Sequence, residues 1–249
     1  MGQVAVTVDY EFDWGGRVDS IYAIEKMTNK VLEILDNNSA KSTFFISTET
    51  VMKTKNTILD IYNAGHEIAS HGHNHNIQYD LLTKNELEYE IENSKNILED
   101  LISDKVYGFR TPQFRKNLYT EELLLKHNYL YDSSSVNTDF LDRYKKNQNQ
   151  NGMIKNFSVS SLFGKVPAGL KWINLIGNYI KNDDELKIIY LHLFDLLSMK
   201  DIIKLYDKKL ISKVVLIFYI SRRNSLLKTI TDVSVSSSSI YSLMVQDEN

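Results

Sequence analysis

Short apolar runs alternate with stretches of helical periodicity along this chain, and that alternation points to a parallel α/β fold. Residues 4–8, 41–46, 67–69, 106–109 and 186–191 read as strands. Between the first two, Ile21, Ile24, Met27, Val31, Ile34 and Leu35 recur at the spacing of one helix face. Residues 49–63 read as a second helix. Thr83-Lys84-Asn85-Glu86 is a capping-box signal opening a third, which runs to about Leu101. Thr120 starts a fourth helix ending near His127, after which Leu130 and Tyr131 lead into Asp132. No internal repeat or domain boundary interrupts the pattern. The expected unit is therefore one domain over residues 1–249, with a core of about 3–230 and a low-complexity linker at 234–239 leading to a short tail.

Chemistry first surfaces where the opening strand meets Asp9-Tyr10-Glu11-Phe12-Asp13-Trp14. Strand side chains alternate between faces, which puts Ala5, Thr7, Asp9, Glu11 and Asp13 together and Val4, Val6, Val8, Tyr10, Phe12 and Trp14 opposite them. Three carboxylates on one face repel each other unless a cation or proton compensates them. Further on, Ser70-His71-Gly72-His73-Asn74-His75 puts His71 and His75 four residues apart, and a helical turn there would bring both rings to one side. Two imidazoles and a carboxylate suit zinc, nickel, cobalt or iron and leave room for water and substrate. With no cysteine in the chain, any metal site has to use histidine and carboxylate.

Taken together and in order, these motifs resemble the polysaccharide deacetylase family of the NodB-homology type, carbohydrate esterase family 4. The first motif is closest to the branch reading Asp-x-Glu-Asp or similar, in which the aspartates are not consecutive. The resemblance implies an α/β fold of the deformed (β/α) barrel type, with the motif residues at the C-terminal ends of the strands. It implies Asp9 as catalytic base. Glu11, with Asp13 as second choice, would join His71 and His75 on a divalent metal, zinc first and nickel, cobalt or iron as alternatives. Gly108-Phe109-Arg110-Thr111-Pro112 matches the third motif, whose arginine pairs with the base. Tyr131-Asp132-Ser133-Ser134 matches the fourth, and Tyr190-Leu191-His192-Leu193-Phe194-Asp195 the fifth, with His192 as general acid. Pro112, Asp132 and Trp14 are assigned to substrate contact. Asp132 reads equally as a turn cap with the serines after it. His73, His66 and His127 are left outside the site.

The implied reaction removes acetyl from an N-acetylated amino sugar in a glycan or glycan precursor and releases acetate. A related hydrolase of another non-peptide C–N bond and a non-catalytic glycan-binding barrel are the alternatives. A formal charge of -3 gives no electrostatic reason to expect nucleic acid. The apolar run 214–220, followed by Arg222 and Arg223, is too short to span a bilayer and reads as a core helix, with a membrane-interface helix as the alternative. The first strand starts almost at Met1, so a cytoplasmic location is expected, with a nucleotide- or lipid-linked sugar as substrate. Oligomeric state leaves no trace in the sequence.

Overall fold

A computed structural model describes residues 3–13, 18–136, 154–162, 166–167, 169, 186–198, 200–202, 223–234 and 237–246. Its centre is a sheet of seven parallel strands curled into a half-barrel, the deformed (β/α) architecture the sequence implies. In chain order the strands are β1 (Val4–Tyr10), β2 (Thr43–Ile46), β3 (Glu67–Ser70), β4 (Gly108–Phe109), β5 (Tyr131–Asp132), β6 (Lys155–Asn156) and β9 (Lys187–His192). They lie side by side as β6-β5-β4-β3-β2-β1-β9. A small antiparallel pair, β7 (Ser161–Leu162) with β8 (Val166–Pro167), stands apart. The apolar run 214–220 and Trp14 lie outside the described residues.

Strand β1 is buried along its whole length, as a parallel strand covered on both faces has to be. Its alternation divides the core. Val4, Val6, Val8 and Tyr10 join the outer cluster with Ile24, Met27, Val31 and Leu35 of helix α1 (Tyr22–Asn37). That cluster continues to Ile58 and Ile61 of α2 (Val51–Asn63) and to Leu87, Ile91 and Leu98 of α3 (Lys84–Ile102). Ala5 belongs to the inner cluster with Phe45, Ala69, Tyr131, Ile188 and Tyr190. The expected capping box forms at α3: Thr83 accepts from the Glu86 amide while the Glu86 side chain accepts from the Thr83 amide. Helix α4 (Thr120–Lys126) completes the βα succession before β5.

The end of the chain departs from the sequence reading. Of the linker expected at 234–239, Ser234 ends helix α5 (Arg223–Ser234), and Ser237 is buried beside β1, where its hydroxyl accepts from the Val6 amide and donates to the Lys41 carbonyl. The tail is a helix, α6 (Ile240–Gln246), whose Ile240, Leu243 and Met244 plug the inner cluster. A run of small hydroxyl residues carries no apolar period, so this packing left no pattern to read. Among the described residues no helix is long and apolar enough to cross a membrane.

Candidate active site

The ends of four strands, β1, β3, β4 and β9, build the site. Asp9 near the end of β1 stands opposite His192 in the β1–β9 register, so strand pairing alone makes them neighbours. Arg110 follows β4 and is completely buried. One of its Nη atoms donates to Asp9 at 2.6 Å and to the Thr7 hydroxyl at 2.9 Å. Its other Nη and its Nε donate to the Ser133 hydroxyl and carbonyl. The guanidinium also lies 4.0 Å from the Phe45 ring centroid and 5.5 Å from that of Phe114. A cation buried this fully is tolerated only when its donors are satisfied and a carboxylate faces it, as here.

The histidine segment does not form the helical turn its spacing suggested. Residues 71–78 are loop and turn, and Gly72 adopts a left-handed φ of +73°. His71 and His75 nonetheless converge, with ring centroids 5.3 Å apart. Glu11 meets both: its Oε2 is 2.6 Å from His75 Nε2 and 3.4 Å from His71 Nε2. His71 Nδ1 is 2.8 Å from the Arg110 carbonyl. A carbonyl only accepts, so Nδ1 carries a proton, and in the neutral ring Nε2 turns a lone pair toward the carboxylate. Acceptors facing each other in a buried space need a cation or a proton between them. Ligand atoms of Glu11, His71 and His75 all lie within 4.8 Å of one another, a donor set that fits a divalent metal.

Asp13, the second choice for the carboxylate, is turned elsewhere: its Oδ1 accepts from the Ala23 amide at the start of α1. Strand geometry stops at Tyr10, so the alternation that grouped Asp13 with Asp9 and Glu11 no longer applies there. His73 also points away, bonded through Nδ1 to the Thr48 hydroxyl. His66 is buried beside Phe44 and His127 pairs with Glu88, both remote from the cluster.

His192 Nε2 lies 3.7 Å from Glu11 and 3.9 Å from Asp9. Burial works against its imidazolium, but the charge of Glu11, the bond to Asp195 and the charges of Asp195 and Asp9 outweigh it and raise its pKa to about 9. Burial likewise opposes the Glu11 carboxylate, yet His192, His75 and His71 hold it well below the usual range. Asp195 closes the fifth motif, and the resemblance assigns it no role. Its Oδ2 is 3.1 Å from His192 Nδ1 and accepts from the His192 amide, which fixes the ring. An acid three residues past a strand-end histidine was the available signal. Phe194 stacks on the other side of that ring, with centroids 4.7 Å apart.

Among the residues assigned to substrate contact, Pro112 opens a 3-10 turn, residues Pro112–Phe114, directly after the third motif. Asp132 takes the turn-cap arrangement. It accepts from the Ser134 amide and hydroxyl as a turn cap, and its second oxygen pairs with Lys116 at 2.7 Å.

Comparison with known proteins agrees with this geometry. The polysaccharide deacetylase family profile matches residues 3–131. A peptidoglycan deacetylase of Helicobacter pylori is 27% identical over 124 residues, 50% of this chain and 42% of that protein. The chain spans less than half the length of the curated relatives it matches. Among solved structures, a peptidoglycan deacetylase of Bacillus subtilis superposes with a TM-score of 0.56 at 16% identity, covering 99% of this chain and 92% of that one. An activity-restored variant of a carbohydrate esterase family 4 pseudoenzyme from Bacillus anthracis superposes with a TM-score of 0.60 at 16% identity, covering 97% and 67%. At such identities the likeness speaks for the fold alone. The family match spans more than half of the sequence and contains Asp9, Glu11, His71, His75 and Arg110, and on that ground the chain belongs to the polysaccharide deacetylase family.

Proposed function

We propose that this chain is a metal-dependent hydrolase that removes the acetyl group from an N-acetylated amino sugar in a glycan or a nucleotide- or lipid-linked glycan precursor. One observation carries the reading: the Asp9–Arg110 pair and His192 face each other across neighbouring strands, beside the Glu11, His71 and His75 donor set. A divalent metal held by those three residues would supply Lewis acidity to an amide carbonyl and to water. Arg110 holds and aims Asp9, so Asp9 takes a proton as water adds to the acetyl carbon. His192, across the register from Asp9, gives a proton to the departing nitrogen. The C–N bond breaks, acetate leaves, and the sugar keeps a free amine. Phe194 and Asp195 hold the imidazole in place for that transfer.

The test is acetate release by the zinc- or cobalt-loaded protein from chitin oligomers, peptidoglycan fragments and nucleotide-linked N-acetylhexosamine. Asp9→Asn and His192→Ala are each expected to lower kcat by about 10²–10⁴. A loaded protein that releases no acetate from any of them overturns the deacetylase reading.

A further inference from the structure

The loop carrying His71 and His75 has no helix or strand of its own to satisfy its backbone, so its amides need acceptors from elsewhere. Glu90 of α3 supplies them. It is 7% exposed, and its Oε2 accepts from the His73 amide at 3.2 Å, the Asn74 amide at 2.8 Å and the Tyr79 hydroxyl at 2.6 Å. Two successive N–H groups aimed at one point form a small anion-holding concavity, and one carboxylate oxygen fills it. The Tyr79 oxygen in turn accepts from the His73 amide at 3.2 Å. Tyr79 is fully buried and sits where a side chain at position 72 would go, since a Cβ on Gly72 would fall 2.0 Å from its oxygen. Gly72, Tyr79 and Glu90 therefore form one unit that shapes the loop between the two histidines.

From this arrangement we infer that Glu90 is a positioning residue for the metal site, acting through the His73 and Asn74 amides to hold His71 and His75 at ligating separation. The inference rests on Glu11, His71 and His75 being the ligands. The opposite side of the loop is fixed independently, by Glu49 accepting from the His75 amide at 3.2 Å and by backbone bonds from Thr48 and Glu49 to the Gly72 and His73 carbonyls. Loss of Glu90 would thus free one side of the loop while the other stays tethered.

The experiment is a cobalt titration followed by visible absorption, with affinity taken from competition against a chelating indicator. Wild type, Glu90→Leu, Glu90→Gln, Tyr79→Phe and His71→Ala are compared, and the unfolding midpoint of each metal-free protein is measured beside it. Glu90→Leu is expected to lose at least about tenfold in cobalt affinity and to shift the absorption bands. Glu90→Gln should recover most of the loss, because its amide oxygen still accepts. Glu90→Leu that is folded, with wild-type affinity and spectrum, overturns the inference, whatever its midpoint. If that variant does not fold, Tyr79→Phe decides: weaker cobalt binding supports the inference and wild-type binding overturns it. Cobalt binding that His71→Ala leaves intact, or no binding by wild type, overturns the ligand assignment itself, and this inference falls with it.

Discussion

Arg110 does two jobs with different parts of one residue. Its guanidinium grips Asp9, and its carbonyl takes the proton-bearing nitrogen of His71, so Asp9 and His71 share one anchor. The sequence displayed the arginine and its motif, but nothing about residue type reveals a carbonyl's role. His66 shows the converse case, a histidine outside the site with a clear physical consequence. It is buried, and its Nδ1 accepts from the Ser42 amide. Burial, with the charge of Lys41 adding to it, lowers its pKa from 6.5 to about 4. The unfolded chain therefore binds a proton at a higher pH than the folded one. Stability contributed by keeping His66 neutral is full above about pH 6.5 and is lost as the pH falls toward 4. Between pH 7 and pH 5 the loss from this group is about 2 kcal/mol. Urea denaturation of wild type and His66→Gln at both pH values should show a smaller pH-dependent drop in the variant. Equal drops would mean that another group controls the acid side.

At the scale of elements, α6 is the piece the sequence concealed. The serine run before it reads as a linker, and seven residues are too few for a helical period to stand out. Its anchoring is tertiary: the Ser238 amide bonds to the Val4 carbonyl, the Ile240 amide to the Thr43 hydroxyl and the Tyr241 amide to Glu67. Val4, Thr43 and Glu67 are the first residues of β1, β2 and β3, so α6 closes the half-barrel at the end away from Asp9, Arg110 and His192. Leu243 is 3% exposed within that plug. Leu243→Ala is expected to cost about 2–5 kcal/mol of unfolding free energy while leaving cobalt affinity at the wild-type value. Affinity that falls in step with stability would show the two ends of the barrel to be coupled. The histidine loop illustrates a second kind of concealment. The His71 and His75 spacing was legible and its convergence correct, but the expected helix was not, because the loop is shaped by Glu90, a residue well outside the motif on a different helix. Strands β1, β2 and β9 were readable because burial on both faces favours mainly apolar runs.

For the whole molecule, the parallel topology collects Asp9, Glu11, His71, Arg110 and His192 from most of the chain at one end of the sheet. A donor set assembled this way exists only in the folded state, so a metal binding it stabilises the fold by mass action. Two features keep the metal from being a condition of folding. The outer and inner clusters are apolar and lie below the site, and the Asp9–Arg110 pair closes its own charge. Chelator-treated protein is therefore expected to stay folded and to melt cooperatively. Zinc at about 100 times its dissociation constant should then add about 2.7 kcal/mol, raising the melting midpoint by about 5–10 °C for a chain of this size. At pH 5 the rise should shrink, because protons compete with zinc for the two imidazoles. In His71→Ala the rise should be absent at both pH values. Differential scanning calorimetry of the two proteins with and without zinc measures all of this. A rise of equal size in His71→Ala would place the stabilising metal somewhere other than Glu11, His71 and His75.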